Sequence, residues 1–247
     1  MMANPIIRKL EQFTHLSAAD RAMLDRAAAT QVRKFAPGED IIAEGEEPRE
    51  VNLILSGWGC RYKQLEDGRR QIMAFSLPGD LCDLNIFILR AMDHSVGALT
   101  GLTVAQLPRE LFDDMTIRHP RITQALWWEA LVNAAIQREW TVNIGQRNAL
   151  ERVGHLLCEL FVRLQPIGLA SADSCEFPIT QADLAAATGL SVVHVNRTLQ
   201  ELRHAGLIVL RGKHLTIPDL AALMRASLFN PNYLHLDHIG RHLDAVE

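Results

Sequence analysis

Residues 180–217, TQADLAAATGLSVVHVNRTLQELRHAGLIVLRGKHLTI, decide the fold. Thr180 precedes a short helical run, Gln181 to Thr188, and Gly189 supplies a turn that needs positive φ. Ser191 caps a second helix that runs to about His204. Leu184, Ala185, Gly189, Leu190 and Val195 fall where a helix-turn-helix needs them: a small residue for close approach, a turn glycine and three apolar residues to seal the corner. At about 100° per residue, Val192, Val195, Leu199 and Leu202 cluster as a core face. Arg197 points the opposite way, flanked by Val193, His194, Gln200 and His204. A guanidinium there suits bidentate pairing to guanine O6 and N7 in a major groove. After Gly206, the run Leu207–Leu210, the turn Arg211-Gly212-Lys213-His214 and the run Leu215–Ile217 read as strand, basic turn and strand, a wing.

The charge around this segment stands against that of the whole chain. The 247 residues carry a net charge of −4, yet residues 191–217 hold Arg197, Arg203, Arg211 and Lys213 against Glu201 alone. Phosphate binding needs such a local excess. The 48% hydrophobic and 22% charged content is that of a globular protein and excludes a mostly disordered chain. No apolar run approaches the roughly 18 residues of a membrane span, and Met1–Pro5 has no signal-peptide pattern. A cytoplasmic protein without membrane contact is expected. Cys60, Cys82, Cys158 and Cys175 are widely spaced and read as buried thiols.

Upstream the pattern changes twice. Glu11 to Ala29 has apolar residues at helical spacing, with Ser17 as N-cap. From Val32 to Leu107, turn signals recur (Pro37-Gly38, Gly45, Ser56-Gly57, Asp67-Gly68, Pro78-Gly79, Gly101), separated by short β-type runs such as Val51–Leu55, Gln71–Phe75 and Leu102–Leu107. Strands at this spacing predict an antiparallel barrel, roll or sandwich, with Asp67-Gly68 as a type I′ hairpin turn. Helical character then runs from Pro120 to Ile144, with apolar residues on more than one face, so that this helix must pack on two things at once. A second helix carries the stripe Leu150, Val153, Leu156, Leu157, Leu160, Phe161, Leu164, and residues 165–178 read as a loop.

In this order the chain resembles the CRP/FNR superfamily of bacterial transcription regulators. The resemblance rests on Gly38-Glu39, Leu53-Ile54-Leu55-Ser56-Gly57, Glu66-Asp67-Gly68-Arg69, Pro78-Gly79-Asp80 and Ile179 through Leu207. It implies an α+β fold: an N-terminal antiparallel, cupin-like β-roll over residues 1–118, a long dimerisation helix over 119–147, a winged helix-turn-helix over 148–229 and a tail over 230–247. It further implies a homodimer on a two-fold symmetric DNA site, with RNA polymerase as a further partner. Ser191 and Thr180 match phosphate contacts of the family, Arg197 the base-reading arginine, and Lys213 with Arg211 the backbone contacts of the wing. A base-reading glutamate of the family is Val193 here, which suits a thymine methyl rather than cytosine N4. His194 and Asn196 are further candidate DNA contacts.

The effector side departs from the cyclic-nucleotide-binding members of that family. Their Gly-Glu-Leu and Arg-Ser segments correspond to Cys82-Asp83-Leu84-Asn85 and His94-Ser95-Val96. Without the arginine fork an anionic phosphate loses its bidentate partner, so gating by cAMP is not expected. Nor is an iron–sulfur cluster, since no cysteine precedes Cys60. His94 or Cys82 as a haem ligand rests on residue type alone. The family's long helix lines the effector pocket, so Trp127 and Trp128 would fill ligand volume there, leaving a constitutively competent regulator or one with a small apolar effector. His235, His238 and His242 share a helical face, a spacing compatible with a metal, but no metal site is expected. A cyclic-nucleotide-dependent regulator is the alternative within the class. A cupin-type metal enzyme is the alternative outside it, and it would need histidines clustered on strands where the roll offers only His94.

Overall fold

The structure, a computed structural model, describes residues 4–82, 84 and 86–236. The chain divides into two compact units, residues 4–63 with 74–134 and residues 64–73 with 135–235.

The first unit opens with helices α1 (Pro5–Leu10) and α2 (Ala18–Ala28). Strands β1 (Val32–Phe35), β2 (Asp40–Ile42), β3 (Glu50–Ser56), β4 (Gly59–Gln64), β5 (Arg70–Ser76), β6 (Leu81–Cys82), β7 (Ser95–Ala98) and β8 (Leu102–Pro108) follow, residue 64 of β4 and residues 70–73 of β5 being counted with the second unit. They form two four-stranded sheets, ordered β1-β8-β3-β6 and β2-β7-β4-β5. The turn-punctuated β pattern of the sequence is therefore a double-layered roll. Its central pair is antiparallel, with Leu53 opposite Ala105 and Val51 opposite Leu107, all buried. Ile6, Leu10, Leu24, Leu53, Val104, Met115, Ile122 and Leu126 share one core, so α1, α2 and the helices after β8 cover this sheet. Those helices are α3 (Arg109–Arg118) and α4 (Pro120–Gln146).

Ser17 caps α2 as expected: Ser17 and Asp20 form a reciprocal capping box (Asp20 N donating to Ser17 Oγ, Ser17 N to Asp20 Oδ2) that fixes the start at Ala18. The helical spacing that begins at Glu11 is not helix before that cap, since α1 stops at Leu10. The apolar spacing before it belongs to a connection whose Phe13 packs on Trp128 and whose Leu16 is buried. Asp20 also holds His119 Nδ1 at 2.8 Å, at the α3–α4 junction. Burial would raise its carboxyl pKa, but the hydrogen bonds from Ser17 and His119 bring it below the usual value. The β4–β5 turn is not type I′ either. Only Gly68 takes positive φ (+86°), Gly68 N donates to Leu65 O, and Leu65 N to Arg69 O. This is a three-residue loop with the glycine at its left-handed position, and Asp67 instead binds Arg69 through Oδ1 and Oδ2.

Lys9, Asp80 and Glu129 meet inside the first unit. Lys9 Nζ pairs with Asp80 and lies 2.6 Å from Glu129 Oε1, tying α1 to the β5–β6 turn and to α4. Burial raises the Glu129 carboxyl above its usual value, against the pull of Lys9.

In the second unit, α5 (Ala149–Leu164) starts at an Asn148–Glu151 capping box. Residues from Val153 to Leu164 on it are buried almost without a break, more widely than the one stripe expected, because α5 is packed by α6 (Gln181–Thr188), α7 (Val192–His204) and α8 (Leu220–Ala226). Glu159 at its centre is fully buried and accepts from Trp140 Nε1 (3.0 Å), Tyr233 Oη (2.8 Å) and Arg163 Nη1 (3.4 Å). The residues expected as loop contain a strand, β9 (Ser174–Glu176), which pairs with β11 (His214–Thr216), itself paired to β10 (Val209–Arg211).

Candidate nucleic-acid interface

The helix-turn-helix is built from local signals. Thr180 caps α6 through a full capping box: Asp183 N donates to Thr180 Oγ1 (3.1 Å), while Thr180 N and its hydroxyl both donate to Asp183 Oδ2. Gly189 ends α6 in the left-handed region (φ +66°), a conformation an L side chain adopts only with strain. Leu184, Ala185 and Val195 are buried at the corner. Ser191 caps α7, its Oγ accepting from His194 N at 3.2 Å.

These caps differ in what they leave for an anion. Ser191 has no acidic residue in the first turn of its helix, so its hydroxyl hydrogen and the helix N-terminus remain available to a phosphate. Thr180 has given its hydroxyl hydrogen and its backbone N–H to Asp183, whose carboxylate stands where a phosphate oxygen would come. A phosphate contact from Thr180 requires that box to open.

On α7 the core face is Val195, Thr198, Leu199 and Leu202. Val192, expected there, is 48% exposed, since the first turn of the helix projects past its neighbours. Val193, at 71% exposure, and Arg197 lie on the open side. Among the described residues the side chains of Arg197, Arg211 and Lys213 have no ion-pair or hydrogen-bond partner, so each charge remains available to a ligand. Arg211 and His214 face one another across the wing, and Gly212 (φ +59°) takes the first turn position with Lys213 beside it. The wing is steadied from a third side, where Phe177 N donates to Lys213 O at 2.6 Å and His214 pairs with Glu176. His194 is exposed. Asn196 is half-buried, its amide engaged with Gln181 and Gln200.

One positioning residue gave no signal in the sequence. Arg152 Nη1 donates to Thr188 O (2.9 Å), and Nη2 donates to Ile144 O (2.8 Å) and Arg147 O (2.9 Å). A single guanidinium from α5 thus satisfies the end carbonyls of α4 and α6 and sets the first helix of the motif against the end of the long helix.

The effector candidates come from several elements: Cys82 is on β6 and Ser95 on β7, in different sheets of the roll. Cys82 is buried with its Sγ 3.9 Å from Ser76 Oγ, and Leu84 packs on the core. Asp83 and Asn85 lie outside the described residues, as do His238 and His242 of the tail. Ser95 Oγ accepts from Glu44 N at 2.9 Å, and His94 Nδ1 lies 2.7 Å from Asp93 Oδ1. Trp128 packs on Phe13, but Trp127 is 69% exposed, on the side of α4 opposite Ile122 and Leu126. Its indole therefore fills no pocket of its own chain, which corrects that part of the expectation. All four cysteines are buried and none is in a disulfide, and burial pushes the Cys158 thiol up to about 12 and Cys175 to about 11. Among the described residues no group of three or more His, Cys, Asp or Glu is placed to hold a metal, and no helix is long and apolar enough to cross a membrane.

A β-roll followed by a long helix and a winged helix-turn-helix defines a class of DNA-binding regulators. Residues 32–119 match the profile of the cyclic nucleotide-binding domain, and residues 151–226 that of the Crp-like helix-turn-helix domain. The chain is 30% identical over 194 residues to a probable transcriptional activator of Rhizobium leguminosarum bv. viciae, covering 78% of this chain and 80% of that protein. It is also 30% identical to the nitrogen fixation regulation protein FixK of Bradyrhizobium diazoefficiens, over 72% and 74% of the two chains. The structure of FixK2 from Bradyrhizobium japonicum superposes with a TM-score of 0.71 at 25% identity, over 80% of this chain and 97% of that one. The chain belongs to the CRP/FNR family and is a DNA-binding transcription regulator.

Proposed function

We propose that the protein acts as a homodimer on a two-fold symmetric DNA site, reading it through α7 without a cyclic nucleotide. Arg197 would pair with a guanine, Val193 would pack on a thymine methyl, and Ser191, Arg211 and Lys213 would bind phosphates, with His194 beside them. Thr180 would join only once its capping box opened. The observation that carries this reading is the open face of α7, where an unpartnered Arg197 stands beside exposed Val193 above a capped N-terminus free of acidic residues. In this reading residues 1–118 sense, 119–147 dimerise and 148–229 bind DNA, in the cytoplasm and together with RNA polymerase. Independence from cyclic nucleotides is supported by His94, which stands in place of an arginine and cannot offer an anionic phosphate a bidentate fork.

Selection of bound sequences from a random DNA library, with and without cAMP, tests this. Recovery of a two-fold symmetric site without ligand, lost in Arg197→Ala, is the expected result. Recovery only with cAMP would overturn the effector reading and leave the DNA reading standing. No enrichment in either arm would overturn α7 as a reader of sequence.

A further inference from the structure

Three carboxamides link the two helices of the motif. Gln200 Nε2 donates to Asn196 Oδ1 at 3.1 Å, one turn back along α7. Asn196 Nδ2 donates to Gln181 Oε1 at 3.1 Å, at the first residue of α6. Gln181 and Asn196 are half-buried, whereas Gln200 is exposed. The middle amide has therefore spent its acceptor and one donor inside the protein and is held on both sides.

The outer end of the chain is differently placed. At about 100° per residue, Gln200 lies about 60° around the helix from Arg197 and about 20° from Val193. It is about 4.5 Å further along the axis than Arg197, close to the rise of one base pair. Its carboxamide has one N–H committed to Asn196, which leaves one N–H and Oε1. One donor beside one acceptor is what the N7 and N6 groups of adenine require in the major groove. The hydrogen bond to Asn196 also restrains a side chain that would otherwise lose rotamer freedom on binding.

We infer that Gln200 is a second base-reading residue, selective for adenine at the base pair next to the one Arg197 reads, and that Asn196 and Gln181 are its positioning residues rather than base contacts. This rests on the reading of α7 as the recognition helix. Asn196, a candidate DNA contact on sequence alone, then contributes by holding the neighbour that touches the base.

The test is library selection with the full-length protein and its variants, followed by affinity measurements on the selected site and its single-base variants. Wild type should enrich a half-site with an adenine beside the guanine that Arg197→Ala releases. Gln200→Ala should lower the preference for that adenine by about 5- to 150-fold while keeping the guanine, the range for one bidentate contact. Gln200→Glu, which accepts but does not donate, should shift that position toward cytosine. Asn196→Ala and Gln181→Ala should weaken preference at the same position, although Gln181 is on the other helix. A purely structural role would lower affinity for every sequence alike and leave preference untouched.

The inference is overturned by a Gln200→Ala selection identical to wild type. It is equally overturned by a guanine preference assigned to Gln200, or by an Asn196→Ala variant that relaxes a different position of its own. A wild-type protein that enriches no symmetric site would instead overturn the recognition-helix reading beneath it.

Discussion

Thr180 and Ser191 both cap a helix with a hydroxyl, and the residue three positions on decides what each has left. After Thr180 it is Asp183, whose carboxylate takes the hydroxyl hydrogen and the backbone N–H. After Ser191 it is His194, which takes only an acceptor lone pair through its backbone N–H. The same logic separates the cations. Arg197 sits on a fixed helix face with a planar fork, so its contribution is expected to depend on the base opposite it. Lys213 sits at the wing turn as a point charge and should bind any phosphate. Arg197→Ala should therefore cost about 1–3 kcal/mol on the selected site and relax one position. Lys213→Ala should weaken selected and random DNA alike and reduce the slope of log affinity against log salt by about one. Titrations of both DNAs at several salt concentrations check this. A Lys213→Ala defect confined to the selected site would contradict it.

At the scale of elements, what was legible followed from whether the determining contacts are local. The bounds of α6 and α7 are those read from the sequence, because Thr180, Gly189 and Ser191 punctuate them within a few residues. The strand β9 was not legible: Ser174–Glu176 is a strand only because β11, some forty residues later, pairs with it. The β4–β5 hairpin was found but its turn misread, since Asp67 gains more from binding Arg69 than from taking positive φ. Candidate contacts on α7 were legible by angle, whereas the tie from Asn196 to Gln181 depends on how two helices pack. Arg152 is the same case with more at stake. Replacing it by alanine leaves the carbonyls of Ile144, Arg147 and Thr188 without that donor, at a cost of about 3 kcal/mol of stability. Arg152→Lys should rescue it only in part, because an ammonium does not span three carbonyls as a planar fork does. Chemical denaturation of the three proteins measures this, and an unchanged midpoint in Arg152→Ala would refute the role.

For the whole molecule the deciding feature is the uncovered side of α4. Ile122, Ala125, Leu126, Ile136 and Trp140 are buried along one side of this 27-residue helix. Along the other, Trp127, Leu131, Ala134, Arg138, Thr141 and Gly145 are exposed, alternately four and three residues apart. Trp127 and Leu131 are 69% and 65% exposed, more apolar surface than a lone helix face leaves in water without cause. The alternation is that of a coiled-coil seam, and Arg138 and Thr141 within it are polar positions that favour one register over its slips. In the proposed homodimer the occupant of this side is a second copy of the same helix, whose spacing matches because a two-fold axis would set each seam residue against its counterpart. That arrangement would give two copies of α7, as half-sites about one DNA turn, roughly 34 Å, apart require. Leu131→Glu puts like charges face to face across the axis. It should sediment as a monomer, keep a cooperative melting transition, and lose about 10²–10⁴-fold in affinity for a two-fold site, because the second half-site no longer binds as part of one molecule. Affinity for a single half-site should hardly change. A Leu131→Glu protein that still sediments as a dimer, or a wild type already monomeric at micromolar concentration, would place the dimer contact elsewhere or remove it.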